Sequence, residues 1–173
     1  MKKILSIVLA IVVCLSLVGI VAAAGDAFVP SITYKGQPEV TAVEGADGDG
    51  CLRIVPVAEA DQLPEADREL LLKVYNELND GTMTPPTEGT IRELLDVALC
   101  CDHDHAKQFA AGEIAITVTF DLGVEGDAAI SAHSYVEVDG EYKWVEAESV
   151  VNNGDGTVSV TFKKLCPVAI SVA

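Results

Sequence analysis

With 27 acidic against 11 basic residues, this chain of 173 residues carries a formal net charge of −16. Such a balance makes nucleic acid and anionic membrane surfaces poor partners. Half of the residues are apolar, and the length suffices for one domain with its own hydrophobic core.

The amino terminus predicts export. Lys2 and Lys3 precede an uncharged apolar stretch from Ile4 to Val21, and Ala22, Ala23 and Ala24 stand directly before Gly25. This is the layout of a secretory signal peptide with an A-x-A-type cleavage site. It predicts a signal peptide over residues 1–24 and a single extracellular α+β domain over 25–173. The apolar run exceeds the usual signal-peptide core, and about 20 apolar residues can span a bilayer. The alternative is therefore an uncleaved anchor that holds the domain at the cell surface, the one case in which it meets a membrane. Without Lys2 and Lys3 the balance becomes 9 basic against 27 acidic residues, a net of −18.

Residues 25–50 read as irregular or weakly extended, ending in the turn-rich stretch Glu44 to Gly50. Cys51 to Val57 (CLRIVPV) reads as a strand, and Pro56 places it at a sheet edge or ends it there. A helix is predicted from Pro64, whose fixed φ suits a first helical position. Leu63, Ala66, Leu70, Leu71, Val74, Tyr75 and Leu78 fall on one face, with Gly81 as the stop. Thr84-Pro-Pro-Thr87 is a break. In Thr90 to Cys100, Thr90 and Glu93 could form a capping box, while Val97, Leu99 and Cys101 alternate as in a strand. A short helical turn followed by a strand is the expectation there.

From Glu113 the period is 2. Ile114 to Phe120, Ile130 to Val138, the neighbourhood of Tyr142 and Trp144, Val158 to Phe162 and Val168 to Val172 read as strands, and Asp139-Gly140 marks a hairpin. An up-and-down β-meander over 113–173 follows. The fold class is α+β: an antiparallel β-sandwich-like domain with one amphipathic helix.

Two stretches carry a resemblance. Ser149 to Phe162, with its core Asn152-Asn-Gly-Asp-Gly-Thr-Val-Ser-Val-Thr-Phe162, is followed by Cys166-Pro-Val-Ala-Ile170. This part is similar to the C-terminal hairpin of a group of secreted and cell-surface proteins of anaerobic Gram-positive bacteria. Pro30-Ser-Ile-Thr-Tyr-Lys-Gly36 resembles the mature start of the same group. The resemblance implies export and a β-sandwich-like domain; it assigns no activity and no site.

Four cysteines remain after processing: Cys51, Cys100, Cys101 and Cys166. In an exported chain they read first as two disulfides. Neighbouring cysteines rarely bridge each other, so Cys100 and Cys101 are expected to pair separately with Cys51 and Cys166. The competing chemistry is a metal site in Cys100-Cys-Asp-His-Asp-His105. On an extended chain His103 and His105 would face the same way, and imidazole beside thiolate suits zinc or copper. An oxidising compartment counts against it by consuming the thiols. The Gly/Asp-rich loops at Asp47 to Gly50 and Asn152 to Gly156 do not fit an EF-hand.

No catalytic residue is assigned. His133 lies mid-strand, Ser131 and Ser134 have no nucleophile elbow around them, and no Walker loop, dinucleotide fingerprint or HExxH motif is present. Tyr135, Tyr142 and Trp144 lie on facing strands of one hairpin. Sharing an outer face, they would form an aromatic patch for a glycan or protein partner; turned inward, they would be ordinary core. The sequence thus predicts a secreted or surface-associated, non-enzymatic module without a cofactor that binds an extracellular protein or glycan, with zinc binding at His103 and His105 as the alternative.

Overall fold

The computed structural model describes residues 39–44, 52–100 and 104–173. The predicted signal peptide, Cys51, the Asp47 to Gly50 loop and positions 101–103 lie outside the described residues. Within them the chain runs β1 (Glu39–Glu44), β2 (Leu52–Pro56), a 3-10 helix (Val57–Gln62), helix α1 (Glu65–Asn79), β3 (Thr90–Leu99), helix α2 (Asp104–Ala110), β4 (Ile116–Asp121), β5 (Ile130–Val138), β6 (Glu141–Glu146), β7 (Ser149–Asn152), β8 (Thr157–Phe162) and β9 (Pro167–Val172). One sheet has the order β1-β4-β8-β7 and the other β2-β3-β9-β5-β6, with antiparallel pairing throughout.

The period-2 pattern explains the first sheet. Ile116, Val118 and Phe120 of β4 and Val158, Val160 and Phe162 of β8 point inward and are fully or almost fully buried. They pack against Leu95, Val97, Val168 and Ile170 of the second sheet. The alternate positions turn outward, where Thr117 meets the Thr161 hydroxyl at 2.9 Å and Thr119 meets that of Ser159 at 2.9 Å. This is the hydrophobic-in, polar-out signature of a sheet with one wet face.

The second sheet is covered on both faces. Opposite the sandwich core, Leu71, Val74 and Leu78 of α1 pack on Ile91, Leu94, Tyr135 and Ala169. Their spacing places these three on one helical stripe. Glu65 and Asp67 in the first turn complement the helix dipole. The helix ends at Asp80, and Gly81 follows at φ +77°, a conformation that a Cβ would oppose. Pro64 sits one position earlier than the sequence suggests, as the extended N-cap residue.

Two-sided burial also accounts for the main departure from the sequence reading. The expected helical turn after Thr90 does not form; β3 is continuous from Thr90 to Leu99, flanked by β2 and β9. Its Ile91 to Val97 stretch is mostly buried on both faces, so the strand alternation that would have identified it is muted. A register irregularity between Ile91 and Glu93 interrupts the period further.

The β-meander over 113–173 is likewise corrected. Successive strands are dealt between two sheets: β4, β7 and β8 in one, β5, β6 and β9 in the other. Only β5–β6 and β7–β8 are hairpins between consecutive strands there. The Asp139-Gly140 turn is the predicted one, with φ of 58° and 83° at its two residues, as a type I′ turn demands. β7, β1 and the short helix α2 are additions to the predicted elements. Among the described residues no helix is long and apolar enough to cross a membrane.

Burial ranks the substitutions. Leu71 is fully buried between helix and sheet, whereas Val151 on the edge strand β7 is 49% exposed. Leu71→Ala is expected to lower stability by about 2–5 kcal/mol in urea unfolding, and Val151→Thr to change it by less than about 0.5 kcal/mol. Equal effects would contradict the placement of α1.

Candidate functional site: a cleft at the end of the five-stranded sheet

The site arises because the central strand of the sheet starts late. The β3–β9 ladder ends at the pair Asp96–Pro167, and the β5–β9 ladder ends at Ser134–Val168. Pro167 has no N–H to offer a neighbour and stands at the first position of its strand. Both flanking strands run on. Val97, Ala98 and Leu99 continue β3 with β2 as their ladder partner, and Tyr135 to Val138 continue β5 with β6 as theirs. Strands pair at about 4.8 Å, so the two flanks stand about 10 Å apart, the width of one missing strand.

A cleft of about 740 Å³ occupies this end of the sheet. Its walls are Val97 to Leu99 and Val136 with Glu137. Lys163 to Cys166, the chain crossing from β8 to β9, and helix α2 complete it. The crossing is held in place by Ser134, whose hydroxyl donates to the Lys164 carbonyl at 2.9 Å. Phe109 of α2 is buried in the sandwich core, which fixes the helix as a plug below. Tyr142 of β6 lines the cleft and remains 46% exposed.

Beside the cleft lies an ionic cluster. Arg53 of β2 donates from Nε and Nη2 to Asp96 Oδ2 at 3.1 and 2.7 Å, and from Nη2 to Asp67 Oδ2 of α1 at 2.5 Å. Burial opposes the Arg53 charge, but the bonds to Asp67 and Asp96 outweigh it and move its pKa up. Burial pushes the Asp96 carboxyl above its ordinary value, against the pull of Arg53. The cluster ties the first turn of α1 to the end of β3. Burial also pushes up the Cys166 thiol, with Asp96 and Asp67 adding to the effect. A thiol held in its protonated form is a weak nucleophile.

The aromatic trio divides. Tyr135 and Trp144 are directly opposed on β5 and β6 with ring centroids 5.0 Å apart, and Tyr142 stacks on Tyr135 at 5.6 Å. All three share the face that carries α1. Tyr135 is buried and Trp144 is half-buried against the helix-side core, with its Nε1 buried and unpartnered. Tyr142 alone stays open to solvent among them.

The other candidate residues do not gather into one site. His105 lies in the first turn of α2, so the extended geometry expected of it does not hold; His103 is outside the described residues. Among the described residues no group of three or more His, Cys, Asp or Glu side chains is placed to hold a metal. Cys100 and Cys166 are both unbridged, the first exposed and the second half-buried; Cys51 and Cys101, the other two cysteines of the expected disulfides, lie outside the described residues. His133 is half-buried opposite Glu146, with Nδ1 unpartnered; burial lowers its pKa while Glu146 pulls it up. Ser134 points to the Lys164 carbonyl instead of to His133. In the Asn152 to Gly156 loop, Asp155 Oδ1 accepts from the N–H and hydroxyl of Thr157, so turn chemistry occupies the carboxylate.

Sequence reasoning missed the cleft and the Arg53 cluster. Two signals were present: Arg53 and Asp96 are charges inside apolar strands, and Pro167 caps the start of another. The chain matches no protein-family model, no curated protein and no solved structure.

Two ionisable groups yield measurable consequences. Arg53→Leu leaves the Asp96 carboxylate buried without its cation and is expected to cost about 3–5 kcal/mol at neutral pH. Because burial holds the Asp96 pKa above its ordinary 3.8, the carboxyl is neutral in both folded and unfolded chains at low pH, and the loss shrinks as pH falls toward 3. A loss independent of pH would contradict the cluster. Glu93 is 6% exposed, and burial raises its pKa to about 7, against the pull of Arg92. An acid whose folded pKa is raised loses stability as pH climbs from its unfolded value to its folded one, here from 4.5 to about 7. Allowing for residual screening, Glu93→Gln should therefore gain roughly 2 kcal/mol over wild type between pH 4 and pH 8 in urea titrations. A constant difference across that range would contradict the burial of Glu93.

Proposed function

We propose that this chain is an exported, non-enzymatic module that binds an extracellular protein or glycan partner in the cleft at the end of the five-stranded sheet. The leader Met1 to Ala24 supports export. The observation that carries the binding reading is Tyr142: an aromatic ring 46% exposed over a cleft of about 740 Å³, while its two neighbours in the trio are held by the core. The volume falls within the range of roughly 300–1,000 Å³ usual for ligand sites. Apolar walls at Val97, Leu99, Val136 and Leu165 sit beside a few polar groups. An amphipathic ring at such a rim contributes contact area at little entropic cost.

Binding to a printed oligosaccharide array and to a displayed random-peptide library, each probed with wild type and Tyr142→Ala, tests the reading. Exposed Tyr142 can be removed with the fold intact, so the variant should lose at least about tenfold in affinity for the ligands that wild type retains. Retention at full affinity, or hydrolysis of a retained ligand, would overturn it.

A further inference from the structure

We infer that the partner enters the cleft as an extended polypeptide segment that adds to the sheet as the missing length of the central strand; this rests on the cleft being the binding site. The pairing carries the inference. β9 is antiparallel to both β3 and β5, and its ladders stop at Asp96–Pro167 on one side and Ser134–Val168 on the other. Beyond that point Val97 to Leu99 and Tyr135 to Val138 are already in extended conformation, each held in register by an outer neighbour, β2 or β6. They flank the row that β9 vacates, and the space between them is one strand wide. A strand placed there gains main-chain hydrogen bonds on two sides, where ordinary addition to a sheet edge gains them on one.

Side-chain chemistry selects the sequence of that segment. Alternate residues of an inserted strand face opposite sides of the sheet. On the sandwich side they meet Val97, Leu99 and Leu165, which belong to the inner core or pack against it. Apolar residues at alternate positions suit that side. On the other side they meet the face that carries α1. There Asp96 follows the core-facing Leu95, Glu137 lies two residues beyond Tyr135, and Asp67 of α1 completes the lining. Arg53 engages Asp67 and Asp96 together, so its single charge leaves this side negative beside Glu137. Lys163, on the crossing, is already paired with Glu148 at 2.6 Å. In a chain of net charge −16, the partner segment therefore carries basic side chains at the positions between its apolar residues.

The test titrates the protein, followed by amide NMR, with an acetylated and amidated hexapeptide alternating valine and lysine. The comparison probes are the same peptide N-methylated at alternate residues, a version with aspartate for lysine, and a hexamer of N-acetylglucosamine. The Val/Lys peptide should bind at concentrations up to about 1 mM and shift the amides of Val97 to Leu99 and Val136 to Val138. N-methylation should weaken binding at least about tenfold by removing main-chain donors, and the aspartate version should weaken it about threefold or more. Equal binding of the N-methylated peptide, or shifts confined to residues away from the cleft, would overturn strand addition while leaving side-chain recognition in the cleft intact. Shifts at the cleft with the sugar and none with any peptide would also overturn it and would support a glycan partner. If no probe moves the cleft amides, both the strand and the cleft fail.

Discussion

The structure depends on a sheet that must be dry on both faces. β9, with the sequence Pro167-Val-Ala-Ile-Ser-Val172, is buried from Pro167 to Ser171. Val168 and Ile170 fill the space between the two sheets, while the small Ala169 on the opposite face admits helix α1. Neither layer is optional. Without the four-stranded sheet one apolar face would be wet, and without α1 the other would be. A buried strand must also have its main-chain groups paired on both sides, and β3 and β5 do this over the length where the ladders run.

The same requirement shapes the end of the sheet. The chain reaches β9 by crossing from β8 in the other layer, and the crossing and Pro167 together delay the start of the strand. The flanking strands are longer than the strand they flank, so a gap opens where Val97 to Leu99 and Tyr135 to Val138 have no β9 residues between them. Nearby, Arg53 joins Asp96 of the sheet to Asp67 of the helix. A buried Asp96 without Arg53 would be a liability, and the cluster fixes where α1 sits relative to the cleft. The ionic tie on this side and the row that β9 leaves beside it are properties of one arrangement.

Much of the fold could be read from the residues. The alternation of Ile116, Val118 and Phe120, the stripe of Leu71, Val74 and Leu78, the hairpin at Asp139-Gly140 and the edge position implied by Pro56 are all local signals, and the structure carries each of them. β3 was harder, because a strand buried on both faces loses its period and the Thr90–Glu93 pair mimics a helix start. The sheet order was not legible, since the chain passes between layers at positions that look like ordinary turns. Of the candidate site, Tyr142 was visible as an aromatic residue on a hairpin, yet its 46% exposure beside the buried Tyr135 depends on packing between elements distant in sequence. The cleft was invisible for a related reason: it is made by an offset between strand ends distant in sequence, and no single segment encodes an offset.

Native-state amide hydrogen exchange, read residue by residue, tests this arrangement most directly. The account predicts that the amides of Val168 to Ser171 exchange only through global unfolding. Those amides of Val97 to Leu99 and Val136 to Val138 that face the row beyond the start of β9 should exchange at least about a hundredfold faster than their neighbours bonded to β2 and β6. Uniform protection across both strand ends would mean that the row is filled, and fast exchange in β9 would mean that the sheet is not covered on both faces. Either result would contradict the account.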